Sequence, residues 1–157
     1  MTDQQPQQPQ QQAMPVFNIE KIYVKDLSVE VPNAPAIFLE RDAPQMDMQL
    51  NTQSEPVDTA NGIYQTILTL TISAKIKDKS AFMVELQQAG IFRIQNIPQE
   101  ALEPALGIGC PNILFPYARE AISDAVLKAG FPPLMLQPVN FEVMYMQQQQ
   151  AKAQQPN

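Results

Sequence analysis

Between Ile63 and Lys77 apolar and polar residues alternate with few breaks. Tyr64, Leu68, Leu70, Ile72 and Ile76 share one parity, and Gln65, Thr69, Thr71, Ser73 and Lys75 the other. Alternation of this length sets one row of side chains against a core and the other in water, so it predicts a half-buried strand. Lys77-Asp78-Lys79-Ser80 reads as a hairpin connection. A second alternating run follows over Ala81 to Ile94, with Phe82, Val84, Leu86, Phe92 and Ile94 against Met83, Glu85, Gln87 and Arg93. Two such runs joined by a short link pair antiparallel, and their common apolar face needs a cover.

Two further segments extend the sheet. Val16 to Val31 puts Phe17, Ile19, Tyr23, Leu27, Val29 and Val31 on one parity, interrupted by Lys21 and Lys25, with Glu20, Asp26, Ser28 and Glu30 opposite. Gln45 to Thr52 puts Met46, Met48 and Leu50 opposite Asp47 and Gln49, and Asn51 to Gly62 reads as a polar loop ending in a turn-forming Asn-Gly pair. Between these strands Pro32, Pro35 and Pro44 bracket Ile37, Phe38 and Leu39. Proline removes amide donors, so this is a crossing connection with an unusually apolar middle.

The remainder supplies the cover. Pro98 to Leu106 predicts a short helix starting at its proline. Asn112 to Ala129 predicts the main helix, with Leu114, Tyr117, Ala118, Ala121, Ile122, Ala125, Val126 and Ala129 as its apolar face and Gly130 as C-cap. Pro116 requires either a kinked start or a later one, because it deletes an amide near the first full hydrogen bond. A second proline-braced apolar loop, Phe131 to Phe141, leads to a last helix over about Asn140 to Gln150. The fold class is α+β, a four-stranded antiparallel sheet with helices on one face. The Gln-rich segments 1–13 and 147–157 lack the apolar area to offset ordering and are expected to be mostly disordered, leaving 14–146 as one domain.

Composition narrows the function. A net charge of −6 disfavours nucleic acid and anionic membrane surfaces. The chain has no histidine, which removes the usual Ser-His-Asp and Cys-His nucleophile systems, and its one cysteine leaves no basis for a structural metal site or an intrachain disulfide. Cys110, between Gly109 and Pro111, reads as a small buried residue. A reducing, cytoplasmic setting fits, since no leader and no apolar run of about 20 residues is present. Gly107-Ile108-Gly109 lacks the third glycine and the Lys-Ser or Lys-Thr pair of a phosphate loop, and reads as a flexible link between helices. The carboxylate pairs Asp26 with Glu30 and Asp42 with Asp47 fit solvated strand faces better than acid–base chemistry. No cofactor is implied.

The two proline-braced apolar loops remain. They either plug the core or form a groove walled by Phe38 on one side and Phe131, Leu134, Leu136 and Phe141 on the other, with Met135 and Met144 as adaptable contacts. A guest side chain buried there gains about 1.5–3 kcal/mol, so one groove binds weakly and several on one assembly gain by avidity. A small-molecule enzyme or binding subunit using the same cavity, and a purely structural assembly module, are the competing readings.

The string Cys110-Pro111-Asn112-Ile113-Leu114-Phe115-Pro116-Tyr117, running into Ala118-Arg119-Glu120, resembles the signature of the SecB family of protein-export chaperones. In order along residues 17–146, Ile22-Tyr23 with Lys25-Asp26, Pro32-Asn33-Ala34-Pro35, Ala81-Phe82, Gln87-Gln88 with Gly90-Ile91-Phe92, and Pro138-Val139-Asn140-Phe141 carry the same resemblance. It implies a homotetramer, a dimer of dimers with the helices between the sheets. It also implies a protein that holds unfolded precursor polypeptides without ATP and passes them to the SecA motor. By the same resemblance, SecA docks on an acidic patch at Asp26, Glu30 and Glu85, joined by Met83 where the family has leucine, and the zinc used in docking belongs to SecA. Asp42 stands where the family often has an aromatic residue, which implies a less aromatic client groove.

Overall fold

A computed structural model describes residues 11–155. The disorder expected of residues 1–10 and 156–157 lies outside the described residues. Four strands, β1 (Val16–Glu30), β2 (Gln45–Asp58), β3 (Ile63–Ile76) and β4 (Lys79–Gln95), form one antiparallel sheet in the order β1-β4-β3-β2. The β3–β4 hairpin turns on Lys77 and Asp78, whose φ of 50° and 65° are left-handed. Two such residues match the right-handed twist of the flanking strands. Leu70 faces Leu86 and Ile72 faces Val84 across this hairpin, and all four are buried. The predicted apolar parity therefore forms the centre of the core.

β2 is longer than its sequence pattern suggests. Residues 51–58, expected to be loop, continue the strand, with Thr52 opposite Leu68 and Ser54 opposite Thr66. The pairing comes from β3, and Pro56 is accommodated because β2 is an edge strand, at a register irregularity between Pro56 and Asp58. Only Thr59–Asn61 turns, and Gly62 at φ 64° closes it.

β1 departs from simple parity. Register shifts between Ile19 and Lys21 and between Val24 and Asp26 are β-bulges that switch the strand's faces twice. Ile22 and Val24 thereby face the helices, opposite Gly90 and Gln88. Tyr23, expected on the apolar side, points to the outer face, where its hydroxyl donates to Gln65 Oε1. Beside the second bulge, buried Gln88 Nε2 donates to the Tyr23 carbonyl at 3.1 Å. The proline-rich connection runs from one sheet edge to the other and makes a short 3₁₀ turn at Ala36–Leu39.

The helices form one continuous path and one separate arm. α1 (Gln99–Pro104) passes through a π turn at Ala105–Gly109 into α2 (Cys110–Lys128). The glycines expected to form a flexible link are thus helical. A Cβ at Gly107 would lie 2.6 Å from the Tyr145 ring, so close packing of the last helix demands glycine there. α2 starts before Asn112 and keeps Pro116 inside it. The lost hydrogen bond is offset by packing of the neighbouring Leu114 and Phe115, both buried. Its core face is Leu114, Phe115, Ala118, Ile122, Ala125 and Val126, with Phe115 in place of the expected Tyr117, which is exposed. α2 lies across β4 and β3. Gly90 permits the approach, because a Cβ there would sit 3.0 Å from Leu114 and 2.8 Å from the Phe92 ring.

α3 (Phe141–Gln154) is capped by Asn140, whose side chain accepts from Val143 N at 3.0 Å. It continues beyond the expected Gln150 into a segment read as mostly disordered. Gln, Ala and Lys are good helix formers, and a capped, docked first turn supplies the nucleus they need.

Candidate functional site

The apolar middle of the first connection and the start of the second proline-braced loop meet at one end of the sheet, over the β3–β4 hairpin. The Phe131 ring stands between Phe38, at 5.2 Å between centroids, and Phe82, at 4.9 Å. Gly130, at φ 95°, has no room for a side chain, since a Cβ would fall 2.9 Å from the Phe38 ring. Around this aromatic row opens a cleft of about 480 Å³, lined by Ile37, Phe38, Met46, Ile76, Phe82, Phe131 and Leu134 and rimmed by Glu40, Arg41 and Asp42. Lys77 Nζ reaches Glu40 at 3.2 Å and Asp42 at 3.7 Å. The hydrogen bond to Glu40, then the charge of Asp42, raises the Lys77 pKa. The rim is polar and the floor apolar, an arrangement suited to apolar side chains carried on a polar backbone.

The groove residues expected from sequence divide into three groups. Phe38, Phe131 and Leu134 line the cleft. Leu136 and Phe141 do not. At 7% and 2% exposure they belong to the core, Phe141 edge-on to Phe115 at 5.8 Å, because the loop folds inward before the last helix starts. Met144 packs against that core from α3. Met135 is 71% exposed and borders a separate depression with Pro116, Arg119 and Leu127 on the outer side of α2. Arg119 ties this part of the loop down, its Nε donating to the Leu136 carbonyl at 2.9 Å. Phe82 and Met46 were read only as strand residues. Their place in the cleft depends on register, Met46 and Phe82 both flanking Ala74, and no local signal marks it.

The opposite face of the sheet is polar. Glu30 is paired across strands with Met83, Ser28 with Glu85, and Asp26 with Gln87. The four predicted residues Asp26, Glu30, Met83 and Glu85 therefore lie together on two adjacent strands, with Met83 as the apolar member. Among the described residues none of the three carboxylates has a salt-bridge partner. Further along this face Gln65 accepts from Tyr23 and donates to Glu55 at 2.6 Å, a chain of side chains reaching from β1 to β2.

Cys110 is buried at the start of α2, and burial pushes its thiol up to about 12, against a small opposing effect of its hydrogen bond with Thr66. A thiol raised in the folded state favours folding below its unfolded value and loses that contribution as pH rises towards the folded one. Stability measured by denaturant titration should thus fall between pH 9 and about 12, and less steeply in Cys110→Ala. Identical slopes would show that other groups set the alkaline limb. Among the described residues no three His, Cys, Asp or Glu side chains converge as a metal site would require, and no helix is long and apolar enough to cross a membrane.

An aromatic cleft on the helix-bearing side and a polar outer face on the same antiparallel sheet make this an α+β protein with an apolar binding cleft. The family model described as preprotein translocase subunit SecB matches residues 10–152. The protein-export protein SecB of Dechloromonas aromatica is 62% identical over 147 residues, covering 94% of this chain and 95% of that protein. That of Thiobacillus denitrificans is 61% identical, covering 90% and 91%. A solved Mycobacterium tuberculosis SecB-like chaperone, in complex with a ChAD peptide from the HigA1 antitoxin, shares the fold at a TM-score of 0.63 and 17% identity, over 78% of this chain and 90% of that one. The chain belongs to the SecB family.

Proposed function

We propose that the protein is an ATP-independent export chaperone of the cytoplasm that holds unfolded precursor polypeptides in its aromatic cleft and delivers them to SecA. The observation that carries this reading is the separation of two surfaces. The Phe38–Phe131–Phe82 cleft lies at the helix-bearing side, whereas Asp26, Glu30, Met83 and Glu85 occupy the other side of the same sheet. A client and a motor domain can then be engaged together without competing for one site. Membership of the SecB family supports both halves of the reading.

The working unit in this proposal is a homotetramer, a dimer of dimers with the helices between the sheets. Its support is the row Phe17, Ile19, Val24, Leu27 and Val29, which faces the helix side of β1 yet stays substantially exposed in the single chain. Large apolar rows of this kind mark surfaces that are covered in an assembly. Several clefts on one assembly raise the avidity for a long client well above that of one cleft.

The test is Phe38→Ser. Phe38 is 47% exposed and packs its covered side on Phe131, so its loss should cost only about 1 kcal/mol of stability while removing one aromatic wall. Affinity for a permanently unfolded polypeptide should fall about tenfold, the equivalent of roughly half a buried aromatic side chain, with SecA affinity unaffected. A larger effect on SecA than on the client would reject the cleft as the client site.

A further inference from the structure

Sulfur is distributed unevenly in this molecule. The lone thiol, Cys110, is buried in the core and holds its proton, so it offers an oxidant neither access nor thiolate. Most of the methionines among the described residues are exposed by contrast. Met14, Met46, Met48, Met135 and Met146 all expose a large part of their surface. Met46 alone among them lines the aromatic cleft, 46% exposed and in the same lining as Ile37, Ile76 and Phe82. It sits on edge strand β2 opposite the small side chain of Ala74.

We propose that Met46 is a reversible oxidation site through which hydroperoxides lower the chaperone's affinity for unfolded clients; the inference rests on the reading of the cleft as the client site. A sulfur lone pair attacks one oxygen of hydrogen peroxide, the O–O bond breaks, and the departing hydroxide takes the proton from the new S–OH group to leave as water. Sulfur loses two electrons and becomes the sulfoxide. Two thiols of a methionine sulfoxide reductase return those electrons, yielding thioether, disulfide and water. The sulfoxide carries a strong acceptor into a floor built of Ile37, Ile76 and Phe82. A client side chain seated there would have to strip water from that oxygen and offer no donor in return. The more exposed Met135 and Met14 oxidise as well, but neither lines the cleft.

The experiment uses the full chain, treated with hydrogen peroxide, mapped by peptide mass spectrometry and titrated with an alkylated, permanently unfolded polypeptide. The readout is the ratio of client Kd after treatment to Kd before, each variant against its own untreated form. Wild type should gain one oxygen on Met46 and show a ratio of about ten, the loss of one buried apolar contact. A thiol-driven sulfoxide reductase should return the ratio towards one. Met46→Leu should hold it near one, and Met135→Leu should leave it at the wild-type value. A Met46→Leu ratio equal to wild type, or a Met46 that stays reduced while Met135 is converted, overturns the proposal. Absence of client binding before any treatment would overturn the chaperone reading itself, and this inference with it.

Discussion

Replacing Asp26, Glu30 and Glu85 together with lysine should weaken binding to SecA roughly 100-fold at low ionic strength while leaving client binding intact. An exposed ion pair contributes about 0.2–1 kcal/mol, and reversal exchanges each attraction for a repulsion of similar size, so three sites amount to about 3 kcal/mol. The three carboxylates occupy neighbouring positions of β1 and β4 and have no salt-bridge partner among the described residues, so no internal pair is broken by the change. Raising salt should shrink the difference, because charges at an exposed surface are screened over about 10 Å at 0.1 M. Titration calorimetry against SecA, with client Kd on the same preparations, reads both. An unchanged SecA Kd removes this face as the docking site, and parallel loss of both activities marks a folding defect.

Phe141→Ala should destabilise the protein by about 3–5 kcal/mol, the usual cost of emptying a buried phenylalanine site. Phe141 is almost fully enclosed, packs edge-on to Phe115 and starts α3 directly after its Asn140 cap. Its removal takes away the contact that anchors the helix at its first turn. A lowered unfolding temperature should be joined by faster amide exchange along Phe141–Gln154. The contrast with Phe38→Ser is the informative part, since the two phenylalanines look alike as members of proline-braced apolar segments. A Phe141→Ala protein of unchanged stability and weakened client binding would return this residue to the groove.

That pair also shows where sequence patterning stops. The β3–β4 hairpin was legible because its two faces differ residue by residue, and the structure buries Leu68, Leu70, Ile72, Val84 and Leu86 as the alternation predicts. Residues 51–58 were not legible. Their side chains are mostly polar on both faces, and what makes them a strand is the ladder offered by β3. In β1 the apolar residues kept their hydrophobic character but not their parity, since a bulge adds a residue without any mark in the sequence. The acidic outer patch was implied by the family resemblance; parity added only that Asp26, Glu30, Met83 and Glu85 face away from the core, and it is the register of β1 on β4 beyond the second bulge that sets them side by side. The cleft was legible only in part. Composition identified two apolar loops, but which side chains line an opening and which fill the interior is decided by how the loops close on the sheet. Phe38 is held over Gly130, and Leu136 is drawn inward beside Arg119.

The half-covered row along β1 has a thermodynamic consequence. Phe17, Ile19 and Leu27 present to water the same kind of surface that the protein is proposed to seek in its clients. In the assembly proposed above, closing that surface and folding the chain are one linked equilibrium, so apparent stability rises with the protein's own concentration. Dilution would expose a guardian whose edge is as much in need of shelter as the chains it shelters.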